Sequence, residues 1–135
     1  MTENEGYKTI EAPAKAAIKE RGSRFHAFAY PVTTESEAKE WLRKLRAEFP
    51  DATHICYAYR LGPRGDIWAA SDNGEPGGSA GRPIHGRLLS ARVTDCMVVV
   101  VRWFGGKKLG VPGLIAAYKE AAAEALEAAK IIEKR

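Results

Sequence analysis

Apolar positions along this chain change their spacing several times, and each change predicts an element. Tyr7–Ile10 and Arg24–Val32 read as an opening pair of strands joined through Glu11–Gly22, a stretch with no dominant period, and Pro31 marks a strand end or a sheet edge. Ala38, Leu42, Leu45 and Phe49 follow at steps of 4, 3 and 4 residues, which is the period of one helix face. Thr34-Glu35-Ser36-Glu37 stands before them as a capping box, and Pro50 stops the pattern. His54–Leu61 alternates and is rich in strand formers. Leu61-Gly62-Pro63-Arg64-Gly65-Asp66 is turn chemistry, and Ile67–Ala70 resumes extended structure, so a hairpin is predicted.

Pro83 suits the first turn of a short helix carrying Ile84 and Leu88. Cys96–Phe104 is an almost unbroken β-branched and aromatic run, as expected of a central strand covered on both faces. Leu114, Tyr118, Ala121, Ala125, Ala128 and Ile132 recur at 4, 3, 4, 3 and 4 residues, predicting a long amphipathic helix whose small residues permit close packing on a sheet. The order of elements predicts an α+β fold with one mixed sheet and the helices packed on one face.

With 135 residues and 45% hydrophobic content, positions 1–135 are the size of one domain with a core of its own. No stretch approaches the ~18–20 consecutive apolar residues of a membrane span, and the opening MTENEGYK carries no apolar run of a signal peptide. A soluble, cytoplasmic protein with no membrane partner is expected. Cys56 and Cys96 sit inside apolar segments without paired spacing, which suits buried thiols rather than a disulfide or a metal site. No metal and no cofactor is implied, and no pattern specifies an oligomeric state.

Charge changes this picture. The chain carries 21 Lys and Arg against 17 Asp and Glu, a net +4. Arg82, Arg87, Arg92, Arg102, Lys107 and Lys108 face only Asp95 within positions 82–108, so that window alone is +5 (six minus one). Such a concentrated field favours an anionic partner. Nine of the 13 glycines also fall between Gly74 and Gly113, mostly in SDNGEPGGSAGRP (Ser71 to Pro83) and RWFGGKKLGVPG (Arg102 to Gly113). Glycine is costly to order, so clustering it beside cations points to backbone that bends tightly or approaches a ligand closely.

Each glycine stretch feeds a helix N-terminus, Gly74–Gly81 into the Pro83 helix and Gly105–Pro112 into the Leu114 helix. Unpaired amides and the helix dipole make such ends attractive to phosphate or carboxylate. The two ends are expected to flank one anion in a single cradle reinforced by Arg82, His85, Arg87, Arg102, Lys107 and Lys108, with backbone from Gly105, Gly106, Gly110 and Gly113. The pattern is not a nucleotide fingerprint: Gly106-Lys107 has Val101 where a P-loop has its first glycine, and no G-x-G-x-x-G lies in the right place.

In these two stretches the chain resembles the IMPACT N-terminal domain family. The first family motif is matched by Ser71, Asp72, Gly74, Glu75, Pro76, Gly78, Ala80, Gly81, Arg82 and Pro83. The second is matched by Arg102, Phe104, Gly105, Gly106, Lys108, Leu109, Gly110, Gly113 and Leu114. Ser23-Arg24-Phe25, Pro31-Val32 and the segment around Thr53-His54 extend the likeness over nearly the whole chain. Departures include Asn73 for an acidic residue, Trp103 for Tyr, and Val111-Pro112 where Thr-Gly is usual. The resemblance implies a ribosomal protein S5 domain 2-like fold and a role in translation control. It also implies that the ferredoxin-like second domain of many bacterial relatives is missing here.

Residue chemistry leaves three functional readings. One is a binding module in which the cations meet the phosphates of RNA, or a ribosome-associated partner, while Trp103 or Phe104 stacks on an unpaired base. Alternation places these two aromatics on opposite faces, with Arg102 sharing the face of Phe104. A second is a phosphate-handling enzyme in which Asp72 or Glu75 does proton or metal work, although capping of loop amides suits these carboxylates better. Ser71 or Ser79 with His54 or His85 has no spacing that makes a triad, and no catalytic residue is assigned. The third is a domain for protein partners alone, using the same surface. The first is preferred.

Overall fold

The computed structural model describes residues 6–135, so most of the opening segment read for a signal peptide lies outside the described residues. Elements run β1 (Tyr7–Ile10), β2 (Ala14–Glu20), β3 (Ser23–Pro31), α1 (Glu35–Glu48), β4 (His54–Leu61), β5 (Ile67–Ser71), α2 (Gly81–Ala91), β6 (Cys96–Trp103), α3 (Gly110–Ala128) and β7 (Ile131–Lys134). Strands β2-β3-β6-β4-β5 form a five-stranded sheet, and β1 pairs with β7 in a separate ribbon.

The α+β class holds, with four corrections inside it. Every strand pair is antiparallel rather than mixed. The helices cover both faces. Val98 and Val100 of β6 join Phe25, Ala27, Cys56 and Ala58 in a core with α2 and α3, while Met97, Val99 and Val101 pack with Tyr30, Ile55 and Tyr59 under α1. Val98 to Val101 are fully buried in succession, which is why that run shows no alternation. An apolar central strand already requires cover on two sides, so helices on one face alone could not have satisfied it.

The opening strands also pair differently. Glu11–Gly22 contains β2, which folds back on β3 with Lys15 opposite Phe28 and Lys19 opposite Arg24, whereas β1 pairs with β7. Lys15, Ala17 and Lys19 lie exposed on this edge strand, so a polar–small pattern replaced the apolar alternation that would have signalled it. Finally, α3 ends at Ala128. Ala129 is extended, and Ile132, read as the last helix position, lies in β7 opposite Thr9. Cross-strand pairing there overrides a helical spacing that continues by coincidence.

Other elements form as their residues dictate. Thr34 caps α1 by accepting from the Glu37 amide at 3.1 Å, while the Glu37 carboxylate takes the Thr33 amide and hydroxyl. Pro83 sits in the first turn of α2, which reaches 11 residues before Arg92 closes it in a left-handed conformation. Ala117, Ala121, Ala122 and Ala125 let α3 approach the sheet closely. Both cysteines are buried and free.

Candidate functional site

Strand direction fixes where the glycine loops lie. In the antiparallel order β6-β4-β5, the end of β6, the start of β4 and the end of β5 share one end of the sheet, with His54 opposite Arg102 and Tyr57 opposite Ser71. Residues 72–80 and residues 104–109 therefore leave from the same end. Ser23 at the start of β3 is there too, and a Cβ on Gly105 would fall 2.0 Å from the carbonyl carbon of Gly22. The second loop thus rests directly on the β2–β3 turn.

The first loop fills its own anion site. Asp72 accepts from the amides of Gly78 at 2.9 Å, Ala80 at 3.1 Å and Gly81 at 2.8 Å, so the opening of α2 is capped by a carboxylate from its own chain. Burial pushes the Asp72 carboxyl up, but these amides and the nearby Arg82 charge outweigh it and hold the carboxyl below its ordinary value. Ser79 donates to the Pro76 carbonyl, Asn73 accepts from the Ile55 amide, and His54 donates from Nδ1 to the Asn73 carbonyl. Asp72, Ser79 and His54 are therefore spent on holding the loop, whereas His85 lies apart from it on α2. Among the described residues no group of three or more His, Cys, Asp or Glu side chains is placed to hold a metal ion.

Beneath the loops lies a buried polar node. Glu75 is 8% exposed and Arg102 5%. Arg102 Nη1 donates to both Glu75 oxygens, at 2.7 and 3.0 Å, and Nη2 donates to the Ser23 hydroxyl, which also accepts from the Gly105 amide. From α3, Tyr118 donates its hydroxyl to Glu75, and His54 Nε2 stands 3.4 Å from the same carboxylate. Burial, with Cys56 and Glu75 alongside, raises the Tyr118 hydroxyl far above its ordinary value. Burial pushes the Cys56 thiol up to about 12. One carboxylate thus ties the first loop to β6, β4 and α3, and through Arg102 to the second loop. Sequence reasoning missed this link, although an arginine ending an otherwise apolar strand was its signal.

This geometry sorts the cations. Arg102 is neutralised and enclosed, so it is not part of a surface cradle. Arg87 and His85 are half-buried, and His85 stacks on Trp68 at 4.4 Å between ring centroids. Burial, and then the Arg60 charge, lowers the His85 pKa. Arg82, Lys107 and Lys108 stay exposed, as does Phe104 at 49%. Neither α2 nor α3 is capped by the side chain of its own N-cap residue, but α2 has the Asp72 carboxylate on its opening amides, and among the described residues no side chain takes that place at α3. Gly106 and Gly110, at φ 88° and 74°, bend the second loop into it. Trp103 turns to the α1 side against His26 and Phe49, while Arg102 lies 5.7 Å over Phe104, so the two aromatics do part across the strand.

Comparison with known proteins decides the family. A model of the Impact N-terminal domain matches residues 21–126. This chain belongs to the IMPACT family. The stretches that carry the family resemblance are the two loops joined through Glu75 and Arg102. IMPACT family member YvyE of Bacillus subtilis is 39% identical over 129 residues, covering 96% of this chain and 59% of YvyE. An IMPACT family member of Thermus thermophilus is 48% identical over 107 residues, 79% of this chain and 56% of that protein. The chain therefore spans a little over half the length of these relatives. A crystal structure of a hypothetical protein superposes with a TM-score of 0.92 at 34% identity, over 96% of this chain and 64% of that one. The structure of Yih1, described as a two-domain translational regulator, matches with a TM-score of 0.51 at 31% identity, over 90% of this chain and 47% of Yih1. No helix among the described residues is long and apolar enough to cross a membrane.

Proposed function

We propose that this IMPACT domain is a binding module of translation control whose ligand is RNA, free or within a ribosome. The observation that carries the reading is the second loop. Lys107 and Lys108 are exposed beside a helix N-terminus with no side-chain cap, on backbone pinned at Gly105 and through Arg102. Phosphates would meet two ammonium groups and the unpaired first-turn amides, and the neighbouring Phe104 ring offers a surface for a base. The description of Yih1 as a translational regulator supports the biological setting. Chemistry at the loop carboxylates is not needed, because Asp72 and Glu75 are committed to the fold.

Binding of a labelled single-stranded RNA, followed by fluorescence anisotropy over a salt series, tests this. Log affinity is expected to fall linearly with log salt at about −0.7 per phosphate contacted, and Lys107→Ala with Lys108→Ala should lower that slope by about 1.4. A wild-type domain that ignores RNA at low salt would exclude RNA and leave a ribosome-associated protein as the partner.

A further inference from the structure

We propose that the α1-side face of β2 and β3 is a second contact surface, which takes the bases and phosphates of a single RNA strand running on from the glycine loops. The inference rests on the RNA reading above but uses residues outside the two loops.

Register places these residues on one face. Lys15 opposes Phe28, Ala17 opposes His26, Lys19 opposes Arg24, and Arg24 opposes Trp103. The intervening Phe25, Ala27 and Ala29 point the other way, into the α3 core. Helix α1 shields the centre of this face through Ala38, Leu42 and Leu45, and the last apolar side chain to reach outward from it is Phe49, against Phe28 and Trp103. Beyond Phe49 the strip is open. Lys15, Ala17, Lys19 and Arg24 are exposed, and His26 and Phe28 are only partly covered.

The chemistry of the strip is specific. Three cations frame flat rings, and Arg24 lies 4.8 Å over the Trp103 ring that His26 meets edge-on. Ala17, facing His26, leaves that ring's flank free of any long side chain. Burial, and then the Arg24 and Lys15 charges, keep the His26 imidazole below its ordinary pKa. Of the carboxylates nearby, Glu20 opposes Ser23 and so belongs to the α3 face, and Glu48 acts on Tyr30 farther along. Cations alone would suit any acidic partner. Rings interleaved with them are what an unpaired nucleotide uses, its base stacking while its phosphate meets an ammonium group. Continuity favours the same ligand, since Gly105 of the second loop rests on Gly22 in the β2–β3 turn, next to the Lys19–Arg24 pair that opens the strip.

The test is anisotropy with an oligouridine of about twelve nucleotides and a tetranucleotide of the same sequence, on wild type, Lys15→Glu/Lys19→Glu and Lys107→Ala/Lys108→Ala. Both lysines of the first pair are exposed, so their replacement leaves the core untouched. The Lys15/Lys19 variant is expected to lose about tenfold or more on the long strand at low salt and little on the short one, while ring resonances of His26 and Phe28 shift when the long strand binds. Unchanged affinity of this variant, alongside weakened binding by the Lys107/Lys108 variant, overturns the second surface and spares the loop reading. Failure of wild type to bind either strand overturns both. Equal competition by polyglutamate of matched charge, with silent ring resonances, would show an acidic-protein surface instead and also overturn the proposal.

Discussion

Replacing Glu75 with alanine removes the one carboxylate that compensates a guanidinium held almost wholly out of water. Arg102 would keep one side-chain hydrogen bond, to the Ser23 hydroxyl at 3.2 Å, beside the Phe25 and Phe104 rings, and the buried Tyr118 hydroxyl would lose its acceptor. Breaking a buried ion pair from one side costs ~3–5 kcal/mol, because the surviving charge remains desolvated. At ~3–5 °C per kcal/mol for a domain of this size, the midpoint of thermal unfolding should fall by about 10–20 °C. Urea unfolding followed by circular dichroism gives the free energy directly, provided the slope matches that of the wild type. The partner experiment replaces both groups with apolar ones, Glu75→Leu with Arg102→Met. Since a buried pair is often worth no more than well-packed hydrophobes, the double variant should recover most of the loss. A loss below about 1 kcal/mol for Glu75→Ala would mean that water reaches the pair and screens it as at a surface, and the node would not be the tie between the loops.

Gly105→Ala is expected to destabilise strongly, because its Cβ would meet Gly22 backbone at 2.0 Å, whereas Gly77→Ala, with nothing within 4 Å, should shift stability by no more than about 0.5 kcal/mol; thermal melts distinguish the two. His26 and His85 have folded pKa values lowered from 6.5, so the unfolded chain binds protons first. Stability should therefore decline as pH falls below 6.5, with the histidine contribution levelling off once the folded-state values are passed and the loss resuming where Asp72 takes up its proton, and His85→Phe should flatten part of the first slope in urea titrations. Cys56 and Cys96 are buried, with thiols pushed up to about 12, so neither should react with a thiol reagent at mildly alkaline pH until denaturant is added.

Elements whose patterns are set by local chemistry were legible in the sequence. The α1 cap at Thr34, the β4–β5 hairpin and the fully apolar β6 all follow from residues near one another. What escaped depended on partners distant in the chain. β2 is an edge strand with a lysine-bearing face, so its polarity resembled a loop. β7 copies the helical spacing of α3 and becomes a strand only because β1, more than 120 residues earlier, is there to pair with it. At the site, the exposure of Lys107 and Lys108 and the bends at Gly106 and Gly110 were readable from composition. The fate of Arg102 was not, since whether an arginine at a strand end faces solvent or a buried glutamate is decided by a loop 27 positions away.

The capping of α2 by Asp72 changes which part of the molecule is free to bind. Two glycine loops in sequence suggest two vacant helix ends aimed at one anion, yet a carboxylate that accepts three amides leaves no site for a second anion in the first loop. That loop is instead an internal brace, its glycine entropy offset by the buried pair beneath it. Of the positive field that the sequence places at positions 82–108, Arg82, Arg92, Lys107 and Lys108 stay exposed; Arg92 lies at the far end of α2, beside Lys8 and Arg60, and at the second loop the field continues onto Arg24, Lys19 and Lys15. An extended anionic partner following that field would track along the sheet face rather than sit between the helix ends. For this reason, replacing the exposed lysines should separate binding from stability, whereas replacing the motif residues Asp72, Glu75 or Arg102 should impair both together.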